Sequence, residues 1–219
     1  MASVNDPPEI APLGDDALLV TFAQSISWDS GWKVRAAAER IRRLRLAHVT
    51  DVVPAYTTLA VYFDGAQVSG KSIALSIAGT LQGDDVRDDS SPTLIEIPVI
   101  YDGPDLIEVA ERTGLSVGEV IERHSARTYR AYMSGFAPGF TYLGDLDEAL
   151  VLPRRSVPRT RVARGSVAIA GAQTAVYPLE TPGGWHLIGT STEVMFDARR
   201  DPPALLRAGD AVRFVRIDR

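Results

Sequence analysis

The 219-residue chain contains no cysteine, which excludes disulfide bonds, thiolate metal ligands and a cysteine nucleophile. Its three histidines, His48, His124 and His186, are widely separated and show no metal-ligand spacing, so no metal site is predicted. The first residues lack a basic segment followed by an apolar one, and no apolar run is long enough to cross a bilayer. We therefore expect a cytoplasmic protein that is neither secreted nor inserted in a membrane.

The remaining composition is that of an ordinary globular protein. Hydrophobic residues make up 45% of the chain and charged residues 23%. The formal net charge is −5, which gives no electrostatic reason to expect a nucleic-acid partner. A chain of this length can form one large or two small domains, each with a proper core.

The first part of the chain combines strand and helix patterns. Residues 18–22, 49–53 and 58–63 are rich in β-branched, aliphatic and aromatic side chains, which predicts three strands. Ser30 is expected to cap a first helix, and the isoleucines of residues 69–81 recur at the spacing of a second. The acidic stretch 83–92 has no periodicity and predicts a linker. We therefore expect an N-terminal α/β domain over residues 1–88 and a second domain over residues 89–219.

One motif in the first domain matches the phosphate loop of nucleotide-binding proteins. Residues 65–72 fit its pattern and lie between a predicted strand and a predicted helix. That motif works in a large parallel sheet with a second, magnesium-binding aspartate strand, and the first domain is too small for such an architecture. Junctions of this kind also collect Gly, Ser and Lys for capping reasons alone. We do not expect Lys71 to contact a nucleotide phosphate.

The second domain is predicted to be rich in short strands. Residues 93–101 alternate as a strand, and two capping-box patterns, Asp105 with Glu108 and Ser116 with Glu119, open short helices separated by Gly114. Later apolar runs are short and bounded by Gly and Pro, at residues 167–170, 187–188, 194–196 and 212–217. The whole chain is therefore predicted to be α+β, with a sandwich or small β-barrel in the second domain.

The densest run of glycine, proline and aromatic residues, between residues 129 and 191, predicts loops that hold a ligand on a rigid scaffold. It contains five closely spaced arginines, whose planar guanidinium groups suit carboxylate or phosphate. Arg154 and Arg159 each follow a proline that stiffens the backbone, and we expect both to bind an anion. The other three, Arg155, Arg161 and Arg164, are expected to form a solvated basic face.

Other residues complete the predicted site. Amide and hydroxyl groups of Gln173 and Thr181 can fix a small polar ligand, and glycines let backbone N–H groups approach it. His124 ends a predicted helix, where it is either a capping residue or a general base. Phe140 is either a wall of the site or part of the core. The catalytic candidates are His124, Arg154, Arg159 and Gln173. The substrate-binding candidates are Tyr177, Thr181, Gly183, Gly184, Trp185 and Phe140.

These motifs resemble the kinase-inhibitor/allophanate-hydrolase-subunit-1 family. The resemblance is specific between about residues 93 and 214, and is carried by the residues His124-Ser125, Gly135-Phe136-x-Pro138-Gly139-Phe140-x-Tyr142-Leu143-Gly144, Pro153-Arg154-Arg155, Pro158-Arg159, Gly165-Ser166-Val167-x-Ile169-Ala170-Gly171-x-Gln173-Thr174 and Pro182-Gly183-Gly184-Trp185-x-x-Ile188-Gly189. The chain departs from the family pattern at Ala163, Ala175 and Thr190. Thr190 replaces the usual arginine and so removes one cation from the implied pocket rim.

The resemblance implies a cyclophilin-like β-barrel after the small N-terminal domain. It also implies that the chain is one component of an ATP-dependent 5-oxoprolinase complex, which hydrolyses 5-oxo-L-proline to L-glutamate. ATP with Mg²⁺ would then be bound by the complex, the partners would be homologues of the C and A subunits of 5-oxoprolinase, and the chain would be inactive alone. Two alternatives remain within the family: a module that inhibits a histidine kinase, and an amide-processing subunit of the allophanate hydrolase or urea carboxylase type.

Overall fold

The structure, a computed structural model, describes residues 7–81 and 93–218. The chain divides into two compact units, Met1–Ser91 and Pro92–Arg219. The predicted acidic linker at residues 83–92, together with the predicted boundary after residue 88, lies outside the described residues. The domain ranges 1–88 and 89–219 therefore stay predictions, and each unit is described by itself.

The first unit has a four-stranded antiparallel sheet and two helices in its described part. The strands are β1 (Glu9–Pro12), β2 (Ala17–Thr21), β3 (Val49–Pro54) and β4 (Thr58–Phe63), and the helices are α1 (Trp28–Leu44) and α2 (Gly70–Leu81). The strand order is β1-β2-β4-β3. Alternate residues of the strands, such as Val20 and Val61, are buried in one core with Ile41 of α1 and Ile77 of α2. The predicted strands and helices of this unit are confirmed.

Helix α1 begins before the residue that the sequence indicates. Ser27 is its N-cap, and its hydroxyl accepts a hydrogen bond from the backbone N–H of Ser30 at 3.0 Å. The hydroxyl of Ser30 accepts one in return from the N–H of Ser27 at 2.9 Å. The prediction that Ser30 caps the helix is wrong, because Ser30 is the reciprocal partner three residues into a capping box.

The phosphate-loop match does not form a phosphate cradle. Strand β4, which precedes it, is antiparallel to both of its neighbours, so the parallel sheet that the motif requires is absent from the described part of this unit. Backbone N–H groups of the loop are already bonded to Asp64: that of Ala66 to the carboxylate at 3.0 Å, and those of Gln67 and Val68 to the carbonyl at 3.0 and 3.1 Å. A phosphate needs free N–H groups, so this segment does not fit a nucleotide.

The second unit contains the remaining elements. They are β5 (Leu94–Val99), α3 (Leu106–Thr113), α4 (Val117–Ser125), β6 (Thr128–Ser134), β7 (Thr141–Gly144), β8 (Arg159–Val162), β9 (Ser166–Ala170), β10 (Gln173–Val176), β11 (Thr181–Gly183), β12 (His186–Thr190) and β13 (Ala211–Arg216). Gly114 ends α3 in the left-handed conformation, as the sequence predicts. The predicted strand at residues 194–196 is wrong, since only a single bridge joins Phe196 to Ala204.

Seven of these strands form a sheet that closes on itself. Their order is β12-β9-β10-β7-β6-β13-β5. The two edges meet where Ile100, just after β5, pairs with Thr190 at the end of β12. The N–H of Ile100 donates to the carbonyl of Thr190 at 2.9 Å, and the N–H of Thr190 donates back at 2.8 Å. The predicted α+β class with a β-barrel is confirmed.

A second, smaller core covers the outer face of this barrel. Along β9 and β10, larger residues such as Val167, Ile169 and Val176 face the inner core, whereas small alanines (Ala168, Ala170, Ala175) face outward. The alanines leave room for aromatic rings on the outside of the sheet. Strands β8 and β11 pair with each other and form a two-stranded ribbon that contributes Val162 to this outer core. The arginine-rich loop, residues 154–164, therefore includes strand β8 and packs against an aromatic surface through Val162.

Candidate functional site

Four aromatic rings form the floor of the candidate site. Phe140 lies at the centre and makes edge-to-face contacts with Tyr142, Tyr177 and Trp185, at centroid distances of 4.9, 5.3 and 5.6 Å. Phe136 stands over Phe140 at 5.3 Å with 61% of its surface exposed. The structure thus brings the predicted residues Phe140, Tyr177 and Trp185 together. Phe140 and Tyr177 are buried, so they shape the site from below.

Gly183 and Gly184 bring backbone close to this floor. A Cβ at Gly183 would overlap the hydroxyl of Tyr177, so only glycine fits above that ring. The carbonyl of Gly184 accepts a hydrogen bond from the N–H of Arg155 at 2.8 Å, which joins the end of the β8–β11 ribbon to the arginine loop. Burial raises the pKa of Tyr177, so its hydroxyl stays protonated and neutral.

Asp105 is the residue around which the arginines are organised. One carboxylate oxygen, Oδ1, accepts hydrogen bonds from Nη2 of Arg159 at 2.6 Å and from Nη1 of Arg155 at 3.1 Å. The other, Oδ2, accepts the backbone N–H of Leu187 at 2.7 Å. The predicted capping role of Asp105 is wrong: it occupies the N-cap position of α3, but its side chain makes no capping bond. A Cβ at Gly103 would overlap the Leu187 carbonyl, so that glycine lets this segment approach β12.

Glu108 provides a second carboxylate for the same loop. It accepts hydrogen bonds from Arg155 at 2.8 Å and from Arg112 at 3.3 Å. The hydrogen bond from Arg155 is the main cause that lowers the pKa of Glu108. The prediction that Arg155 belongs to a solvated face is therefore wrong, since Arg155 is ion-paired on one side and partly buried. Arg161, by contrast, forms an exposed pair with Glu180, as expected for a solvated face.

Arg159 and Arg154 occupy different environments. Arg159 is held by Asp105, and its Nη1 is enclosed without a hydrogen-bond partner among the described residues. Arg154 is exposed, and no carboxylate in the described part of the chain pairs with it. The positive charges of both arginines act on the Tyr177 hydroxyl, against the larger effect of burial. Arg159 also pairs with Gly183, which lies against the Tyr177 hydroxyl, and Arg154 directly precedes Arg155, whose N–H bonds to Gly184, so the backbone of both predicted anion-binding residues lies beside the aromatic floor.

Gln173 and Thr181 lie at the margins of this region. Gln173 is the first residue of β10 and pairs with Ala170, whose side chain belongs to the outer core. Because paired residues share a face, Gln173 lies on the same outer surface of the barrel, half-buried. Thr181 is the first residue of β11, and its hydroxyl is enclosed with no hydrogen-bond partner among the described residues. Neither side chain makes a hydrogen bond with another described residue.

His124 lies apart from the other predicted site residues, inside the barrel. It is fully buried, and its ring stacks on Phe214 at a centroid distance of 4.6 Å. Nδ1 is 2.7 Å from the hydroxyl of Tyr101, and Nε2 is 2.9 Å from that of Thr174. Both ring nitrogens are occupied, so His124 has no surface on which to meet a substrate. Its spacing from Val120 and Ile121, which are also buried on α4, is the signal that places it on the apolar face.

Asp105 and Glu108 are site residues that the sequence patterns do not indicate. Their spacing before a helix is the spacing of a capping box, so sequence alone could not separate the two roles. His186 is another such residue: it is buried beside them, with Nε2 3.0 Å from the carbonyl of Pro153. Since a carbonyl only accepts, Nε2 is the protonated nitrogen of His186.

The described residues contain neither a metal-binding cluster nor a helix that could span a membrane. Within residues 7–81 and 93–218, no group of three or more His, Asp or Glu side chains is placed to hold a metal ion. Across the same residues, the helices are too short or too polar to span a bilayer.

The chain matches one protein-family model and is similar to curated bacterial proteins along most of its length. A family model described as the carboxyltransferase domain, subdomain C and D, matches residues 8–206. The chain is 40% identical to the 5-oxoprolinase B subunit of Bacillus subtilis (strain 168) over 223 aligned positions, covering 95% of this chain and 92% of that protein. It is also 40% identical to the 5-oxoprolinase B subunit of Escherichia coli O157:H7, covering 93% of each.

A longer protein of known structure contains the same fold. The crystal structure of TTHA0988 superimposes with a TM-score of 0.83 at 40% identity, covering 92% of this chain. This chain spans only 40% of the length of TTHA0988. Motifs, fold and relatives agree, and the chain belongs to the carboxyltransferase subdomain C and D family, which is the allophanate hydrolase subunit 1 family that the sequence motifs indicate.

Proposed function

We propose that this chain is the B subunit of a 5-oxoprolinase, which hydrolyses 5-oxo-L-proline to L-glutamate with consumption of ATP. The observation that carries the proposal is similarity along the whole chain: the B. subtilis relative is matched over 95% of this chain and 92% of its own length. A shared domain alone would leave large parts of one protein unmatched. No comparable observation favours a kinase inhibitor or a urea-processing subunit.

The candidate site suits the substrate of that reaction. 5-Oxoproline is a small, flat ring that carries a carboxylate and a lactam. Half-buried Tyr142 and exposed Phe136 offer apolar surface to the ring, and the buried rings of Phe140 and Trp185 support them from below. Arg154 and Arg159 lie beside that floor and offer charge-assisted hydrogen bonds to the carboxylate. Half-buried Gln173 and the backbone at Gly183 and Gly184 supply neutral polar groups for the lactam, whereas the Thr181 hydroxyl is enclosed and does not reach this surface.

The chain is proposed to act only as part of a complex. A lactam carbonyl is a poor electrophile, so hydrolysis requires activation of its oxygen by ATP, with Mg²⁺ as the counter-ion. The phosphate-loop match does not fit a nucleotide, and the described residues offer no carboxylate cluster for Mg²⁺. We therefore assign ATP binding to the complex, and expect partners homologous to the C and A subunits of 5-oxoprolinase.

Reconstitution tests this function. The chain is purified alone and together with the homologues of the C and A subunits from the same organism, and glutamate release from 5-oxoproline is measured with and without ATP. Turnover is expected only with ATP and all three proteins. ATP-dependent ring opening by the chain alone would contradict the proposal that it acts only as part of a complex. Inactivity of the full complex towards 5-oxoproline would contradict the proposed function itself.

A further inference from the structure

We propose that Asp105 is a positioning residue, whose buried carboxylate holds Arg155 and Arg159 side by side so that both guanidinium groups meet the carboxylate of the substrate. This inference rests on the proposed function and adds two residues to the site, Asp105 and Arg155.

The contacts of Asp105 are those of a fixed anchor. Its side chain is only 4% exposed, and both of its oxygens are used. Oδ1 accepts from two guanidinium groups, and Oδ2 accepts from the backbone of Leu187 on β12. A helix cap would instead bond to the N–H groups of α3, which this carboxylate does not do. The position of Asp105 is therefore set by the barrel wall, and it transmits that position to the arginines.

Electrostatics explain why this carboxylate is needed. Two guanidinium groups that approach the same oxygen repel each other unless a negative charge lies between them. Asp105 supplies that charge where water is excluded, so its attraction is weakly screened. Glu108 also pairs with Arg155, but its side chain is 41% exposed, and an exposed pair contributes little. Asp105 is therefore the residue that keeps the two arginines together.

The arrangement leaves the arginines available to a ligand. The side chains of Arg155 and Arg159 each remain 27% exposed after pairing with Asp105. Nε of Arg155 and Nη1 of Arg159 are enclosed, and Nη1 of Arg155 and Nη2 of Arg159 are bonded to carboxylates, so Nη2 of Arg155 and Nε of Arg159 are the donors left for a ligand. A guanidinium held on its inner edge loses little conformational freedom when a ligand carboxylate binds its outer edge. The pair thus forms a preorganised carboxylate subsite next to exposed Arg154.

The test compares substrates that differ only in the carboxylate. Asp105→Asn keeps the shape and the acceptor for Leu187 but removes the charge. In the reconstituted complex, it is expected to raise the KM for 5-oxoproline about tenfold or more, with kcat changed by less than about threefold. For 5-oxoprolinamide, in which a neutral amide replaces the carboxylate, the inhibition constant against 5-oxoproline hydrolysis is expected to change by less than about twofold.

A matched control separates positioning from general damage. Asp147 is also a carboxylate that pairs with two arginines, Arg123 and Arg127, and it caps the short 3-10 helix Glu148–Leu150. Asp147→Asn is expected to leave the KM within about twofold of the wild type. The proposal is overturned if Asp105→Asn leaves the KM for 5-oxoproline unchanged, or weakens 5-oxoproline and its amide equally.

A second measurement does not depend on activity. Nε of Arg155 is enclosed, so its proton is expected to exchange slowly with solvent in the ¹⁵N-labelled chain and at least about tenfold faster in Asp105→Asn. An unchanged exchange rate overturns the positioning role. If the wild-type complex does not hydrolyse 5-oxoproline, the proposed function fails, and this exchange measurement still decides whether Asp105 holds the arginines.

Discussion

Nε2 of His124 lies 2.9 Å from Oγ1 of Thr174 inside the barrel, and that contact fixes the tautomer of the histidine. The Thr174 hydroxyl donates to the carbonyl of Ala168 at 3.0 Å, so it accepts from His124. Nε2 therefore carries the proton, and Nδ1 accepts from the hydroxyl of Tyr101. The chain of bonds joins helix α4 to strand β10 and to the segment that follows β5.

This buried histidine makes stability depend on pH. Burial lowers the pKa of His124 from 6.5 to about 3, so the folded protein keeps it neutral while the unfolded chain protonates it below pH 6.5. Its contribution to stability is complete above pH 6.5 and is lost as the pH falls towards 3. Between pH 7 and pH 5 the free energy of unfolding should therefore fall by about 2 kcal/mol through this group. Urea unfolding at the two pH values measures the loss.

His124→Gln should remove most of that pH-dependent loss, whatever its effect on stability at pH 7. His48→Gln is the control, because His48 is exposed. Equal pH dependence in the wild type and His124→Gln would contradict the buried, neutral state.

Gly183 should not tolerate a side chain. The Cβ of Gly183→Ala would overlap the Tyr177 hydroxyl, which is buried beneath the β8–β11 ribbon. We expect a loss of about 1–3 kcal/mol in unfolding free energy, as for other overpacked sites. Tyr177→Phe removes the overlapping oxygen, so the double variant should be less destabilised than the sum of the single variants. Gly118→Ala is the control: Gly118 lies in α4, where a Cβ would meet only the Ser116 hydroxyl at an ordinary contact distance of 3.9 Å, and the substitution should stabilise by about 0.5–1 kcal/mol.

Arg159 should be sensitive even to lysine. If it binds the substrate carboxylate, Arg159→Lys should reduce kcat/KM nearly as much as Arg159→Ala, because a lysine ammonium cannot reproduce the planar fork. The expected loss is about 1.5–3 kcal/mol in transition-state stabilisation. Glutamate release by the reconstituted complex measures it, with circular dichroism to confirm folding.

Two further cations serve as controls for Arg159. Arg161→Ala and Lys71→Ala should change kcat/KM little, since Arg161 forms an exposed pair and Lys71 lies outside the candidate site, in the other unit. If Lys71→Ala abolished activity while Arg159→Lys kept the wild-type kcat/KM, the site would have to be assigned to the first unit.

The small residues under the aromatic floor should be required for its packing. Ala168 is completely buried in the outer core, where leucine has no space. Ala168→Leu should lower the free energy of unfolding by about 1–3 kcal/mol and displace the rings of the floor. A change in the near-ultraviolet circular dichroism of the aromatic rings would report the displacement. Ala172 lies in an exposed turn next to the same strands, so Ala172→Leu should change neither the free energy of unfolding nor the near-ultraviolet circular dichroism.

Much of the fold follows from local sequence patterns. The alternation of Leu18 and Val20 identifies a strand, and the four-residue spacing of Ile73 and Ile77 identifies a helix. Each pattern can be read from the sequence because it depends only on neighbours along the chain. The α+β class and the short strands of the barrel are predicted for the same reason. The segment at residues 194–196 fails this test, since it has the apolar pattern of a strand but no neighbouring strand pairs along its length.

The partners of the arginines are decided by tertiary structure. Arg154 and Arg155 are adjacent in sequence, yet Arg155 is ion-paired to Asp105, 50 positions earlier, and Arg154 is exposed. Asp105 has the sequence context of a helix cap, and becomes an anchor only because Gly103 lets it reach β12. Composition and spacing determine which residue types occur near a site. Which carboxylate meets which arginine depends on how the barrel closes, because that brings together segments that no local pattern links.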